Sequence, residues 1–424
     1  MKKNIFWFII LISFLLQVFL SFFETYGDVG LFFIPWARSI EKMGAIGFYE
    51  RIFYQGTTAN YPPLIIYILT VFHQLGLVLV KPILNFFWYL NTTFSFFPSG
   101  IVTFLNQDKL LIHSFVKLPN IIANIFLSVG IYNLIKFLLP KKNKSNLPLI
   151  ALISMLFNPA LIFLSALWGQ VDVIPLAFIV WSFYFLAKGS YRSSIFLMSL
   201  ALLSKQTAIL VVPFYLLFFV NKLSVKKVIE SLIIGYLTFV VVYFPFQKTV
   251  FEKFFPFISY IKTATMFASN KVSMHAYNFW QMIMPGANDN GVRFIAQIIV
   301  GIFLFFVIYK TWKKRENISQ VISGSAVFSL FSFIFLTRMH ERHLAIVLPL
   351  FLIASILDFK FYWIFIFETI YFLINMYAAW PILGIDVLRT TFNSPLVVNI
   401  LVIFQLGVLV LTVILWTRTL KQKN

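Results

Sequence analysis

The feature that most constrains this chain is a succession of continuous apolar runs, each about 20 residues long, separated by short basic clusters. Runs of that length cross a bilayer as α-helices, whereas barrel strands would alternate apolar and polar residues. Apolar residues make up 60% of the sequence and charged ones 11%, too little polar surface for a water-facing exterior. The expected fold is all-α and polytopic. Spans are expected near 4–23, 113–138, 147–166, 173–187, 193–205, 206–220, 228–246, 292–309, 319–337, 343–357, 361–378 and 396–416.

A net charge of +20 invites a nucleic-acid reading, but the basic residues sit in clusters between apolar runs, so no nucleic-acid partner is expected. The clusters are Lys2-Lys3, Lys141-Lys142-Lys144, Lys188/Arg192, Lys222/Lys226/Lys227, Lys310/Lys313/Lys314/Arg315 and Arg418/Lys421/Lys423. With both termini inside, all of them fall on one face, the pattern of cytoplasmic loops. The N-terminal run exceeds a signal-peptide core and lacks an Ala-x-Ala site, so it is read as a retained span. The chain has no cysteine, which excludes disulfides, thiolate metal sites and a Cys nucleophile. It reads as one integral membrane domain, 1–424, in a prokaryotic plasma membrane, or in the endoplasmic reticulum if the source is eukaryotic.

The same parity puts two long loops, 24–112 and 247–291, on the external face, together with most of the acids. Residues 64–105 are apolar and must cross zero or two times, as surface helices or as a hairpin broken near Asn91 to Gly100. The total is therefore 12 to 14 spans.

Within the first loop, Tyr26-Gly27-Asp28-Val29-Gly30 places one of only 14 acids at a membrane boundary beside aromatics and Arg38. Burial and charged neighbours tune such a carboxylate toward general-base work. The alternative is an ordinary cap on the helix expected over Val29 to Met43. Further polar groups converge on the same face: Tyr61-Pro62-Pro63-Leu64, Trp168-Gly169-Gln170-Val171-Asp172, Ser204-Lys205-Gln206, Arg338 to His343, and Asn270 to Trp280.

Lys205 stands out. A charge inside an apolar stretch costs at least about 2.5 kcal/mol and normally has a partner or ligand, although a lysine can also snorkel to the interface. The two short runs that meet there suit a cavity wall better than lipid. Arg338, His340, Arg342 and His343 offer four potential cations within six residues, with Glu341 the one acid. On a helix Arg338 and Arg342 would share a face, which suits a phosphate, although an interfacial charge cluster looks the same. Asp172 could cap the next span, Pro62-Pro63 could simply start a helix, and Tyr277 and Trp280 could belong to an interfacial belt or stack on a sugar. Five scattered histidines give no tight metal spacing.

The order of these groups resembles the GT-C superfamily of polyprenyl-phosphate-sugar glycosyltransferases. It is most similar to the dolichyl-phosphate-glucose α-1,3-glucosyltransferases and their prokaryotic relatives. The resemblance rests on Gly27-Asp28, Tyr61-Pro62-Pro63-Leu64, Trp168-Gly169-Gln170 with Asp172, Lys205-Gln206, Asn278-Phe279-Trp280 and His340-Glu341-Arg342, and covers roughly residues 24 to 343. It implies a GT-C fold with Asp28 as catalytic base. It also implies carrier-phosphate or sugar contacts from Lys205-Gln206 and His340-Glu341-Arg342, and the nearby cations Arg338 and Arg38 are expected to bind the same carrier phosphate or sugar. Donor or acceptor contacts are expected from Asn60, Tyr61, Lys117, Gln170, Asp172, Asn278 and Trp280. Asn60 stands where those enzymes carry Asp, and Asp172 where they carry Asn. Lys117, in Lys-Leu-Pro-Asn, is similar to the Arg-Leu-Pro of bacterial lipid A aminoarabinose transferases.

The expected activity is inverting transfer of a hexose, glucose or mannose, from a polyprenyl-phosphate carrier to a hydroxyl of a glycan, lipid or protein acceptor, on the non-cytoplasmic face. No cofactor is required, since fixed cations can compensate the leaving phosphate, and the part of a divalent metal stays open. Two other readings share the composition. A ligase using a diphosphate carrier would need more arginines, and a lipid-linked-sugar transporter would show related halves, which this sequence lacks.

Overall fold

The computed structural model describes residues 3–23, 27–107, 109–139, 146–266, 269–382 and 384–422. Tyr26, Lys2, Lys141, Lys142, Lys144 and Lys423 lie outside the described residues. The chain is almost entirely helical. It opens with α1 (Lys3–Leu20), α2 (Ile34–Met43), α3 (Pro63–Thr93), α4 (Ser99–Leu105) and α5 (Leu110–Leu138). Next come α6 (Leu147–Leu156), α7 (Pro159–Ile162), α8 (Val173–Ala187), α9 (Tyr191–Ser204), α10 (Val212–Lys222) and α11 (Val225–Tyr243). The second long loop holds α12 (Val250–Phe254), α13 (Pro256–Met266) and α14 (Phe279–Ile283). The chain closes with α15 (Arg293–Trp312), α16 (Ile318–Phe335), α17 (Val347–Ala354), α18 (Lys360–Ala379), α19 (Asp386–Phe392) and α20 (Pro395–Lys421). Among the described residues, eight helical stretches are long and apolar enough to cross a membrane, and four shorter apolar helices accompany them. The protein is thus a multi-pass helical membrane protein.

The bundle has two ends. At one, Arg192 pairs with Glu230, Arg315 donates to Asn221 and Lys314 to the Gln422 carbonyl, so several of the basic clusters gather there. The candidate site lies at the other. There α9 ends at Lys205, and a 3-10 segment, Gln206–Leu210, leads into α10. These are the two short helices whose junction was expected at a charge.

The 64–105 region is resolved by α3. It is 31 residues long and apolar enough to span. Yet its first turn packs against Leu203 and Tyr243, at the ends of α9 and α11, and Tyr67 donates to the Val242 carbonyl. Its far half, Ile83 and Phe87, packs with Phe22, Leu105 and Leu111, beside the end of α1 and the start of α5. Both extremities therefore meet helix ends on one side of the bundle, and α3 lies across that side. Chain reversal follows at Phe94–Pro98, within the expected break.

The 343–357 run is not one regular helix. A 3-10 segment, Glu341–Ile346, leads into the eight buried residues of α17. Residues 336–340 are not helical: 336–338 form a bend and 339–340 a short strand. Here β2 (Met339–His340) runs parallel to β1 (Ser273–Met274), and Arg338 adopts a left-handed φ of 63°. Arg338 and Arg342 thus do not share a helix face.

A large apolar core joins α5, α6, α8, α16, α17, α18 and α20. A smaller one holds the first loop in place. In it Val29, Phe33, Trp36, Phe48, Tyr61 and Ile65 pack on Val171 and Ile174. Burial of such side chains is worth about 1.5–3 kcal/mol each. It fixes the backbone that follows Asp28.

Candidate functional site

Asp28 precedes a π-helical turn, Val29–Phe33, that runs directly into α2. Its side chain does not cap that turn. Instead Oδ2 accepts from the Trp168 indole at 3.1 Å and from the Gln170 amide. Those donors stand where a second π-turn, Phe163–Trp168, ends at Gly169 with φ 85°. A Cβ at Gly169 would lie 2.6 Å from Val29 Cγ2 and 2.9 Å from Lys117 Cγ, so only glycine fits.

Beneath this turn, Lys117 is fully buried and donates to the carbonyls of Ser21 (3.0 Å) and Leu167 (2.7 Å). Asn120 donates to the Gly169 carbonyl. Lys117 therefore holds the Trp168–Gln170 turn from behind and lines neither polar cavity among the described residues. That corrects its expected donor or acceptor contact.

Arg38 is exposed on α2 and lines neither cavity. The cations that act on Asp28 are Arg342, the stronger, and Lys205; the Arg342 guanidinium sits 5.7 Å from the Trp168 ring centre. Burial pushes the Asp28 carboxyl above its ordinary value, while Arg342, Trp168, Lys205 and Gln170 pull it back. Trp168 in turn stacks on Trp380 at 5.7 Å between ring centres, with planes 3° apart. A Cβ at Gly27 would lie 3.0 Å from that second indole.

Asp172 precedes α8 and makes no side-chain cap. It receives Lys205 Nζ at 2.6 Å and lies 4.0 Å from Arg342 Nε. Lys205 also rests 5.3 Å from the Tyr61 ring centre, so it does not snorkel to an interface. Tyr61 donates its hydroxyl to Gln170 Oε1 at 3.2 Å, and Gln206 donates to the Asn60 carbonyl at 3.1 Å. Arg342 Nη1 lies 3.4 Å from Glu341 Oε1. Burial raises the Glu341 carboxyl, and Arg342 opposes that rise. Burial also holds His340 and His343 well below the usual imidazole range. Both are thus neutral hydrogen-bonding groups rather than two further cations.

Two cavities meet here. One, of about 180 Å³, is lined by Asp28, Phe32, Trp36 and Thr58 among others. The other, of about 390 Å³, is lined by Lys205, Gln206, Arg293, Arg338 and His343 among others. Asn60, Tyr61, His340 and Arg342 belong to both walls. Among the described residues no carboxylate lines the larger cavity, because Asp172, Asp289 and Glu341 sit behind the cations.

Arg338 is held bidentately by Asp289, at 2.6 and 2.9 Å. Two expected contacts lie elsewhere. Asn278 is buried, caps α14 by accepting from the Gln281 N–H, and donates to the Leu336 carbonyl. Trp280 donates to the Phe335 carbonyl at 2.7 Å. Both are structural.

Sequence reasoning missed Arg293, Asp289, Asn120 and Trp380. Arg293 reads as an ordinary flanking charge at a span start, and Trp380 as an interfacial aromatic. Among the described residues no group of three His, Asp and Glu side chains is arranged to hold a metal ion. The chain matches no protein-family model, and a comparison with curated proteins finds no significant match.

Proposed function

We propose that the protein is an inverting hexosyltransferase that uses a polyprenyl-phosphate sugar and works at the face opposite its basic loops. The observation that carries this reading is the division of labour across the wall formed by Tyr61 and Arg342. A half-buried carboxylate held by two donors stands on one side, and an anion-seeking cavity on the other. The acceptor hydroxyl would lose its proton to Asp28 as its oxygen bonds to the anomeric carbon. The bond from that carbon to the carrier oxygen breaks with its electron pair on the phosphate. Lys205 and Arg342 would steady the leaving charge. Attack from the side opposite the leaving group inverts the anomeric centre. The all-α multi-pass fold suits a reading in which a lipid carrier reaches the site from the bilayer, as the GT-C resemblance implies.

The experiment is transfer by the reconstituted protein from a panel of radiolabelled polyprenyl-phosphate hexoses, with matching polyprenyl-diphosphate donors run in parallel. A monophosphate donor giving a product of inverted configuration supports the reading. Transfer from diphosphate donors alone replaces it with the ligase. No transfer from any donor by a folded protein removes it.

A further inference from the structure

We infer that Arg293, at the mouth of the larger cavity, receives the carrier phosphate and sets the site to a singly charged phosphodiester. The inference rests on the proposed phosphate-carrier reading and goes beyond it, by naming a residue and a charge state for the same cavity.

Four Lys or Arg side chains line the cavity: Lys205, Arg293, Arg338 and Arg342. Lys205 is already matched by Asp172 at 2.6 Å. Arg338 is matched by both oxygens of Asp289. Arg342 is shared between Glu341 and Asp172, and also acts on Asp28. Arg293 is the exception: among the described residues it makes no ion pair within 4.0 Å, and its charge acts only at longer range on Asp289, whose oxygens are already taken by Arg338.

Its backbone is nevertheless fixed relative to the site. Arg293 opens α15, and its N–H bonds the Asp289 carbonyl at 2.9 Å. The same Asp289 clamps Arg338, so the two arginines share one anchor. The Arg293 side chain is exposed, free to swing onto an incoming anion and desolvated only when one arrives. Arginine presents a planar fork suited to two phosphate oxygens.

Four lining cations stand against three carboxylates behind them, Asp172, Asp289 and Glu341, and the one positive charge in excess neutralises one unit of negative charge. A sugar-bearing phosphodiester carries a single charge. A diphosphate carries more, and would leave excess anionic charge in a half-enclosed cavity, where an unpaired charge is costly. The matched cations then serve to orient and to meet charge that develops during transfer, while Arg293 serves capture.

The test is binding to the full-length protein in detergent, without any sugar, so that it does not depend on transfer. The probes are farnesyl methyl phosphate, farnesyl diphosphate and farnesol. The wild type is expected to bind the phosphodiester more tightly than the diphosphate, and farnesol weakly. Arg293→Gln is expected to weaken phosphodiester binding about 10- to 100-fold, with farnesol unaffected and the salt dependence reduced. Arg293→Lys is expected to recover most of the loss. In transfer assays the glutamine variant should raise KM far more than it lowers kcat. Equal phosphodiester affinity in wild type and Arg293→Gln overturns the inference while leaving the transferase reading intact. Tighter binding of the diphosphate by wild type overturns the charge-state part. Arg293-dependent phosphodiester binding without any sugar transfer supports the site and overturns the transferase reading alone.

Discussion

The indole N–H of Trp168 donates to Asp28 Oδ2 at 3.1 Å, across 140 residues of sequence. Because the same carboxylate oxygen also accepts from Gln170, the proposed base is oriented by a turn it does not belong to. Trp168→Phe should therefore act on the chemical step more than on binding. Loss of one such hydrogen bond is worth about 1–1.5 kcal/mol, or roughly 10-fold in kcat, with KM little changed. Steady-state kinetics on the reconstituted variant check this.

The state of the Asp28 carboxyl predicts a pH profile. Burial, the largest influence, raises it, and Arg342 is the strongest opposing one. A general base works as the carboxylate. Activity should thus be full above the raised value and fall as pH drops through it, with the acid limb lying above the ordinary value of 3.8. Arg342→Gln removes the main opposing charge and should move that limb to higher pH, besides lowering the rate. A limb that stays put in Arg342→Gln contradicts the assignment.

Gly169→Ala tests the turn itself. The new methyl group would meet Val29 and Lys117 at sub-contact distances, at a φ that β-carbons avoid. The expected cost is about 1–3 kcal/mol of strain, seen as a lower melting temperature. Because the turn carries both donors to Asp28, kcat should fall with it. Lys117→Met should also lower the melting temperature, by removing the ammonium that ties two backbone carbonyls together. Protein that melts like wild type in both variants would overturn the supporting role.

Much of this arrangement is legible in the sequence, for reasons that differ by residue. The helical, multi-pass class follows from run length alone. Lys205 declares itself, because a charge amid apolar residues must be paired, and the partner is Asp172. Asp28 is visible as a rare acid at a boundary, but its partner is not. Arg38 is near in sequence, whereas Arg342 arrives from across the fold.

Other features were hidden because tertiary structure overrides local pattern. Arg338 and Arg342 look like a helical pair, yet the strand pairing of Ser273 with Met339 breaks that period. Lys117 resembles a ligand residue, but its ammonium serves the backbone. Asn278 and Trp280 are aromatic-loop candidates whose polar atoms are spent on carbonyls at the end of α16. Apolar residues 64–93 satisfy the length rule for a span, and only packing at both extremities reveals that α3 lies across the bundle.

Asp289→Asn would show how far the second long loop is held by one ion pair. Asp289 is buried, and Arg338 keeps its carboxyl below the usual range. A lowered carboxyl contributes stability that is present above the ordinary value of 3.8 and lost as pH falls through the lower folded value. Arg338 is 24% exposed, so the expected loss in Asp289→Asn is about 1–3 kcal/mol. Thermal melts of wild type and variant at neutral pH measure it. Identical melting would mean that β1 and β2 hold the loop without the pair.

In the proposed reaction Asp28 takes the proton of the acceptor. The most direct measurement is single-turnover transfer from the donor that the wild type uses, run beside Asp28→Asn in the same membranes, with donor binding measured separately. Donor binding should be unchanged and the rate about 100- to 10,000-fold lower in the variant. Equal single-turnover rates in the two proteins would contradict that role of Asp28.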